Sequence, residues 1–250
     1  MSRRPRRRPP QRKRRVQPDP TAPLALAIDT SGAVEGLALV QGDLVLADLR
    51  ARRPRRRGTA LGVAIADLLA SVDRRPQDLS AITVGLGPGA FTGLRVGIAT
   101  AQGLARALSI PLYGFDSTLG LACSIPAADR DTVVVLDARR DEVYVRSYGP
   151  GAGLPIARGP TRLLSPAALA VELSEASPAL LIGDGARLYA TEFTAAAPQH
   201  TQLGLQPSGP ALGSIAADAL QRLAAGEGAP VASVQPIYLR DHDAARPRAV

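Results

Sequence analysis

The chain has 250 residues, one cysteine (Cys123) and no tryptophan. An internal disulfide is therefore excluded, and a reducing compartment is expected. No apolar run reaches the roughly 18 residues of a membrane-spanning helix. The net charge of +8 sits in residues 1–20, which hold nine Lys or Arg against Asp19, while the other 230 residues carry 21 basic and 21 acidic side chains.

Residues 1–23 form an Arg/Pro-rich tail with six prolines and no apolar periodicity, so disorder is expected there. It reads either as an arm for nucleic acid or as a solvated extension. It lacks the apolar region of a secretory signal, and a cytoplasmic location is expected. The folded part begins at Leu24. "LALAID", "VEGLALV" and "LVLADLR" alternate with the turns "TSG" and "QGD", which predicts a three-strand antiparallel meander. A second basic run, Arg50–Gly58, follows it. Then come an expected helix over 59–72, a strand over 81–86, a helix over 90–108 and a strand over 112–115. A short helix through Cys123 follows, with Asp116 or Ser117 as its cap.

The pattern then restarts. "TVVVLDARRDEVYVRSYG" reads as a hairpin with a tight turn at Arg139–Glu142, and Pro155–Leu163 as a third strand. A helix over 166–175, the strand and glycine turn of "ALLIGDGA", and an amphipathic helix over 214–225 complete the half. The fold class expected is α/β, with mixed sheets flanked by helices. Three segments are expected: the tail 1–23, a first lobe over 24–124 and a second over 125–250. Asp29 and Asp137 occupy equivalent places, each at the end of an apolar strand before a turn.

The predicted helix 90–108 has little polar surface. Arg95, Gln102 and Arg106 form one narrow stripe, Leu94, Ile98, Leu104 and Leu108 a bulky face, and Gly93, Gly97, Ala101 and Ala105 a ridge without side-chain bulk. An ordinary helix on a sheet has a broad polar face. The helix 59–72 is similar: Leu61, Ile65, Leu68 and Val72 make a core stripe, Ala60, Val63 and Ala64 fill much of the rest, and Asp67 is the only charge. Either both helices are buried within the monomer, or they expose an apolar interface. The expected interface comprises Ala60, Val63, Ala64 and Asp67 with the ridge Gly93, Gly97, Ala101 and Ala105.

No catalytic residues and no metal ligands are expected. His200 and His242 are 42 residues apart, far from the one-turn spacing of a metallopeptidase pair. The segment "GLGPGAFTG" lacks the lysine of a P-loop. The two strand-end aspartates resemble those of actin-like ATPases and sugar kinases, where facing hairpins hold phosphates and their metal. A degenerate cleft of this kind would comprise Asp29, Thr30, Ser31, Asp137, Gly183 and Gly185.

Four stretches in order, "LALAIDTS", "GLGPGAFTGLRVGIATAQGLARAL", "DARRDEVY" and "PIYLR", resemble the bacterial TsaB family, also called YeaZ-like proteins. The resemblance covers roughly 24–240. It implies an actin-like ATPase (ribonuclease H-like) two-lobed fold. It also implies a part in forming the N6-threonylcarbamoyl group on adenosine 37 of tRNAs that read ANN codons. In that family the chain is a non-catalytic scaffold. A TsaD-type transferase is its partner, a TsaE-type ATPase completes the complex, and two TsaB copies also pair, with the same two helices building the bundle. ATP or ADP and Mg enter only within the complex. The family usually has Ser where Ala90 stands, Gly where Asp141 stands, and a His in the segment occupied here by the Arg-rich run. Two other readings stand beside it: an active actin-fold ATPase or kinase, and an RNA-binding protein that uses its Arg-rich tail. Scarce aromatics argue against the second.

Overall fold

The computed structural model describes residues 19–52, 60–125, 130–202, 209–228 and 230–239. The tail through residue 18 and positions 53–59, which include most of the basic run, lie outside them.

The three expected strands form as β1 (Leu24–Asp29), β2 (Val34–Gln41) and β3 (Leu44–Arg52). α1 (Ala60–Ala70), β4 (Leu79–Gly85), α2 (Phe91–Leu108), β5 (Leu112–Phe115) and α3 (Ser117–Ala122) follow. The sheet order is β3-β2-β1-β4-β5, antiparallel across β1–β2–β3 and parallel across β1–β4–β5. β1 is buried on both faces, and the strand pleat divides them. Leu24, Leu26 and Ile28 join a core with α1 and α2, whereas Ala25 and Ala27 face the opposite side. Asp116 caps α3 as expected, accepting from Thr118 N at 2.8 Å. Ala90 caps α2 with no side-chain hydrogen bond, so the hydroxyl usual in the family is not replaced.

The second sheet contains β6 (Thr132–Arg139), β7 (Glu142–Gly149), β8 (Ile156–Ala157), β9 (Arg162–Leu164), β10 (Leu180–Ile182) and β11 (Thr201–Gln202). Its order is β11-β10-β6-β7-β8, with β9 also on β7. β6 runs antiparallel to β7 and parallel to β10, so it repeats the position of β1 in the first sheet. The expected third strand is split into β8 and β9. The β6–β7 turn has Arg140 and Asp141 at φ 57° and 56°. Left-handed values at both central residues suit a tight hairpin, and Asp141 adopts the conformation that a glycine would favour. α4 (Pro166–Glu175), α5 (Asp184–Leu188) and α6 (Ala190–Ala196) accompany this sheet.

The expected extent of the second lobe needs a correction. α7 (Gly213–Ala224) does not stay with the second sheet. Its stripe of Ile215, Ala216, Ala219 and Leu220 packs on Ala25, Ala27, Ala38 and Ala81 of the first. Small residues on both partners let the helix approach closely. The chain then lays a strap, Val231–Tyr238, across α2. Val234 enters the first core, Gln102 Nε2 donates to the carbonyls of Val231 and Val234, and Ile237 N donates to Leu86 O at 2.8 Å.

A buried polar cluster joins the sheets. Asp116 Oδ2 pairs with the Arg146 guanidinium at 2.6 Å and accepts from Thr161 Oγ1 at 2.5 Å. Thr118 Oγ1 lies 2.7 Å from Tyr148 OH. Asp116 and Thr118 come from the first half of the chain; Arg146, Tyr148 and Thr161 come from the second.

Candidate partner surface and cleft

The ridge of α2 faces inward. Gly93, Gly97, Ala101 and Ala105 are all buried, which overturns their expected place in a partner interface. Thr30 Oγ1 donates to Gly93 O at 2.8 Å, and a methyl group at Gly97 would collide with that hydroxyl. The small residues let the β1–β2 turn press against the helix. Ala64 also turns inward, half-buried against the core.

What α1 and α2 leave exposed is a different set. On α1 it is Gly62, Val63, Ala66, Asp67 and Ala70; on α2 it is a stripe of Thr92, Val96, Ala99, Gly103 and Ala107 beside Phe91, Arg95 and Arg106. Val63 and Asp67 thus lie outward, and the side chain of Ala60 lies outside the described residues. A Cβ at Gly62 or Gly103 would meet no atom of the described residues within 4 Å. An exposed glycine within a helix costs about 1 kcal/mol relative to alanine. Among the described residues nothing compensates it here.

The cleft residues fall into two separate groups. Asp29, Thr30 and Ser31 are buried together at the β1–β2 turn. Asp29 Oδ1 accepts from Ser31 N at 2.8 Å and from Ser117 Oγ at 3.4 Å. Its approach is filled by residues 209–213. A Cβ on Gly36 would come within 2.8 Å of Pro210, and one on Gly120 equally close. Ala211 N donates to Gly120 O at 2.8 Å, and Leu212 is fully buried. With this plug in place, the first hairpin does not fit a phosphate or its cation. Asp137 lies at the second hairpin, where Oδ1 accepts from Arg139 N at 2.8 Å and Oδ2 pairs with the exposed Arg139 guanidinium at 2.9 Å. Gly183, at φ 108°, and Gly185 pass against the β6 backbone. Side chains there would collide with Val135 O and crowd Leu136 C at 2.8 Å. Both glycines are explained by close packing of α5 on β6.

Burial raises the Asp29 carboxyl to about 6, against the opposing pull of the Ser31 and Ser117 hydrogen bonds. The folded chain therefore holds this proton more tightly than the unfolded chain. The resulting contribution to stability is complete below about pH 4 and is lost as pH rises through about 6. Asp29→Asn should accordingly gain on the wild type across that window. At pH 7 it should be the more stable by about 2 kcal/mol. Urea titrations at several pH values measure this, and a pH-independent difference would contradict it.

The remaining nucleophile and base candidates have structural partners. Burial pushes the Cys123 thiol up to about 12, leaving little thiolate at neutral pH. His200 is buried, accepting from Ala179 N at Nδ1 and facing Leu173 O with Nε2. Among the described residues no three His, Cys, Asp or Glu side chains gather as a metal site. Among them, too, no helix is long and apolar enough to cross a membrane.

Sequence reasoning missed the outward stripe Thr92, Val96, Ala99 and Gly103, the plug and the strap. The stripe's i, i+4, i+7 and i+11 spacing was legible, but so was the inward ridge's. The two differ only in which side the sheet takes.

The two sheets, with their repeated strand order and paired aspartate hairpins, define an α/β protein of the actin-like ATPase, ribonuclease H-like fold. The family model "TsaD: tRNA N6-adenosine threonylcarbamoyltransferase" matches residues 55–153. Among solved structures, "YeaZ from Pseudomonas aeruginosa" superposes with a TM-score of 0.71 at 28% identity, covering 87% of this chain and all of that one. An uncharacterized protein of Mycobacterium tuberculosis is 34% identical over 240 residues, 90% of this chain and 95% of its own length. The tRNA threonylcarbamoyladenosine biosynthesis protein TsaB of Bacillus subtilis is 38% identical over 129 residues, 52% of this chain. The match spans 56% of the length of that TsaB and 54% of the length of the Escherichia coli TsaB. The chain is a TsaB/YeaZ-like protein.

Proposed function

We propose that this chain is a non-catalytic scaffold subunit in the formation of N6-threonylcarbamoyladenosine on tRNA. Its direct partner is a TsaD-type subunit. A TsaE-type ATPase and tRNA join through the complex, and a homodimer uses the same surface in the partner's absence. The observation that carries this reading is the outward face of α1 and α2, where Val63, Ala66, Val96 and Ala99 surround the exposed glycines Gly62 and Gly103. Such a face admits another pair of helices at short distance, and the helix glycines then serve a purpose. The match of residues 55–153 to the TsaD model adds support, because a TsaD-type partner would present a related pair of helices.

The plug at Asp29 supports the non-catalytic part of the reading and disfavours the ATPase alternative. Any ATP or Mg in the complex would lie elsewhere than against Asp29. The RNA-arm alternative rests on the tail, whose basic residues all lie outside the described residues.

Gly103→Arg tests the proposal. Gly103 is exposed and a Cβ there meets no described atom within 4 Å, so the fold should hold. Association with a TsaD-type subunit, followed by sedimentation, should weaken at least tenfold, since a central interface position is filled by a charge. Unchanged association would refute the surface assigned to α1 and α2.

A further inference from the structure

The motif "PIYLR" has no part in the site described so far, yet the structure gives its tyrosine a defined place. All eight aromatic residues lie in described positions, and only Phe91 and Tyr238 are exposed, at 41% and 40%. They lie 147 positions apart in the chain and still meet, with ring centroids 5.6 Å apart. The Arg95 guanidinium lies 3.7 Å over the Phe91 ring, and its Nε donates to Tyr238 OH at 3.2 Å. Beside this stack a groove of about 370 Å³ runs between α2 and the strap, lined by Ile98, Ala99, Pro236 and Tyr238 among others. Ala99 also belongs to the outward stripe of α2, so the groove continues that face.

We propose that the C-terminal strap is part of the partner-docking surface, with Tyr238 and Phe91 as its anchor and the TsaD-type subunit as its occupant. This rests on the function proposed above. Exposed aromatic rings ordered by an arginine are the composition of binding hot spots, and their stacking removes rotamer freedom before the partner arrives. α2 carries Arg95 and Arg106 and no acid. The complementary segment is therefore an apolar side chain for the groove flanked by a carboxylate for Arg95. A nucleic acid fits less well. Arg95 covers a face of Phe91 that a base would need, and the next cation on α2, eleven residues on, is about 16 Å away.

The test uses the full-length chain and a TsaD-type subunit from the same organism, with affinity measured by calorimetry and folding by thermal melting. Tyr238→Ala and Phe91→Ala should each weaken association about tenfold, with melting temperatures close to the wild type. Tyr238→Phe should retain most of the affinity. Unchanged affinity for both alanine variants, while Gly103→Arg still breaks the complex, would overturn the strap's role and leave the scaffold reading standing. No association of the wild-type chain would overturn both. Loss of tRNA binding by Tyr238→Ala with assembly intact would overturn it in favour of an RNA contact. If Tyr238→Ala melts early, Phe91→Ala, at the exposed start of α2, decides.

Discussion

Gly97→Leu should abolish folding of the isolated chain rather than merely block association. The position sits where α2 crosses the β1–β2 turn, and even a methyl group there would meet Thr30 Oγ1. Thr30 cannot simply swing away, because its hydroxyl donates to Gly93 O one turn earlier. Relief requires α2 to lift from β1, which opens the core around Leu26, Ile28, Ile98 and Ala101. Overpacking a tight core costs about 3 kcal/mol when the backbone must move, and a leucine exceeds that. Set against a typical total of 5–15 kcal/mol, this is enough to unfold a marginal domain. Circular dichroism and urea denaturation measure it. A folded Gly97→Leu monomer that no longer binds its partner would show that the ridge faces outward after all.

Arg146→Met should destabilise the chain by about 3 kcal/mol, because it leaves the Asp116 carboxylate without a cation at the seam between the sheets. The two side chains are 20% and 9% exposed, so solvent screens the pair little. Arg146 also donates through Nε to Gly159 O at 3.0 Å. The hydrogen bonds from Thr118 N and Thr161 to Asp116 remain and keep the loss at the lower end for a broken buried pair. Since the partners come from different halves of the chain, limited proteolysis near the lobe junction should also accelerate. A change below about 1 kcal/mol would mean that the pair behaves like a surface ion pair.

The cleft illustrates how far local pattern reaches. Asp29 and Asp137 were both recognisable as strand-end residues before turns; Asp29 ends β1, and Asp137 stands two residues before the end of the equivalent strand β6. Their environments could not be anticipated. Pro210 and Leu212, about 180 positions from Asp29, cover the first hairpin. The second keeps its aspartate paired with a solvent-facing arginine. Plugging is a long-range packing event between Gly36, Gly120 and a segment that has no periodicity of its own.

The sequence by itself determined the order and type of most elements. Alternating and 3.6-residue apolar patterns, turn glycines and the Asp116 cap act over a few residues, and so survive reading in one dimension. It also determined that α1 and α2 lack polar faces. Only the tertiary structure decided which face of α2 meets the sheet. An inward ridge of Gly93, Gly97, Ala101 and Ala105 and an outward stripe of Val96, Ala99 and Gly103 are both small and apolar. Hydrophobicity cannot rank them. The choice follows from volume, because the bulkier Leu94 and Ile98 must fill the core beside the sheet, and the buried ridge then rotates onto Thr30. The same limit applies to α7. Its apolar stripe announced a helix that packs on a sheet, but the close fit of Ala216 and Ala219 to Ala25, Ala27 and Ala81 sent it to the first sheet rather than the second.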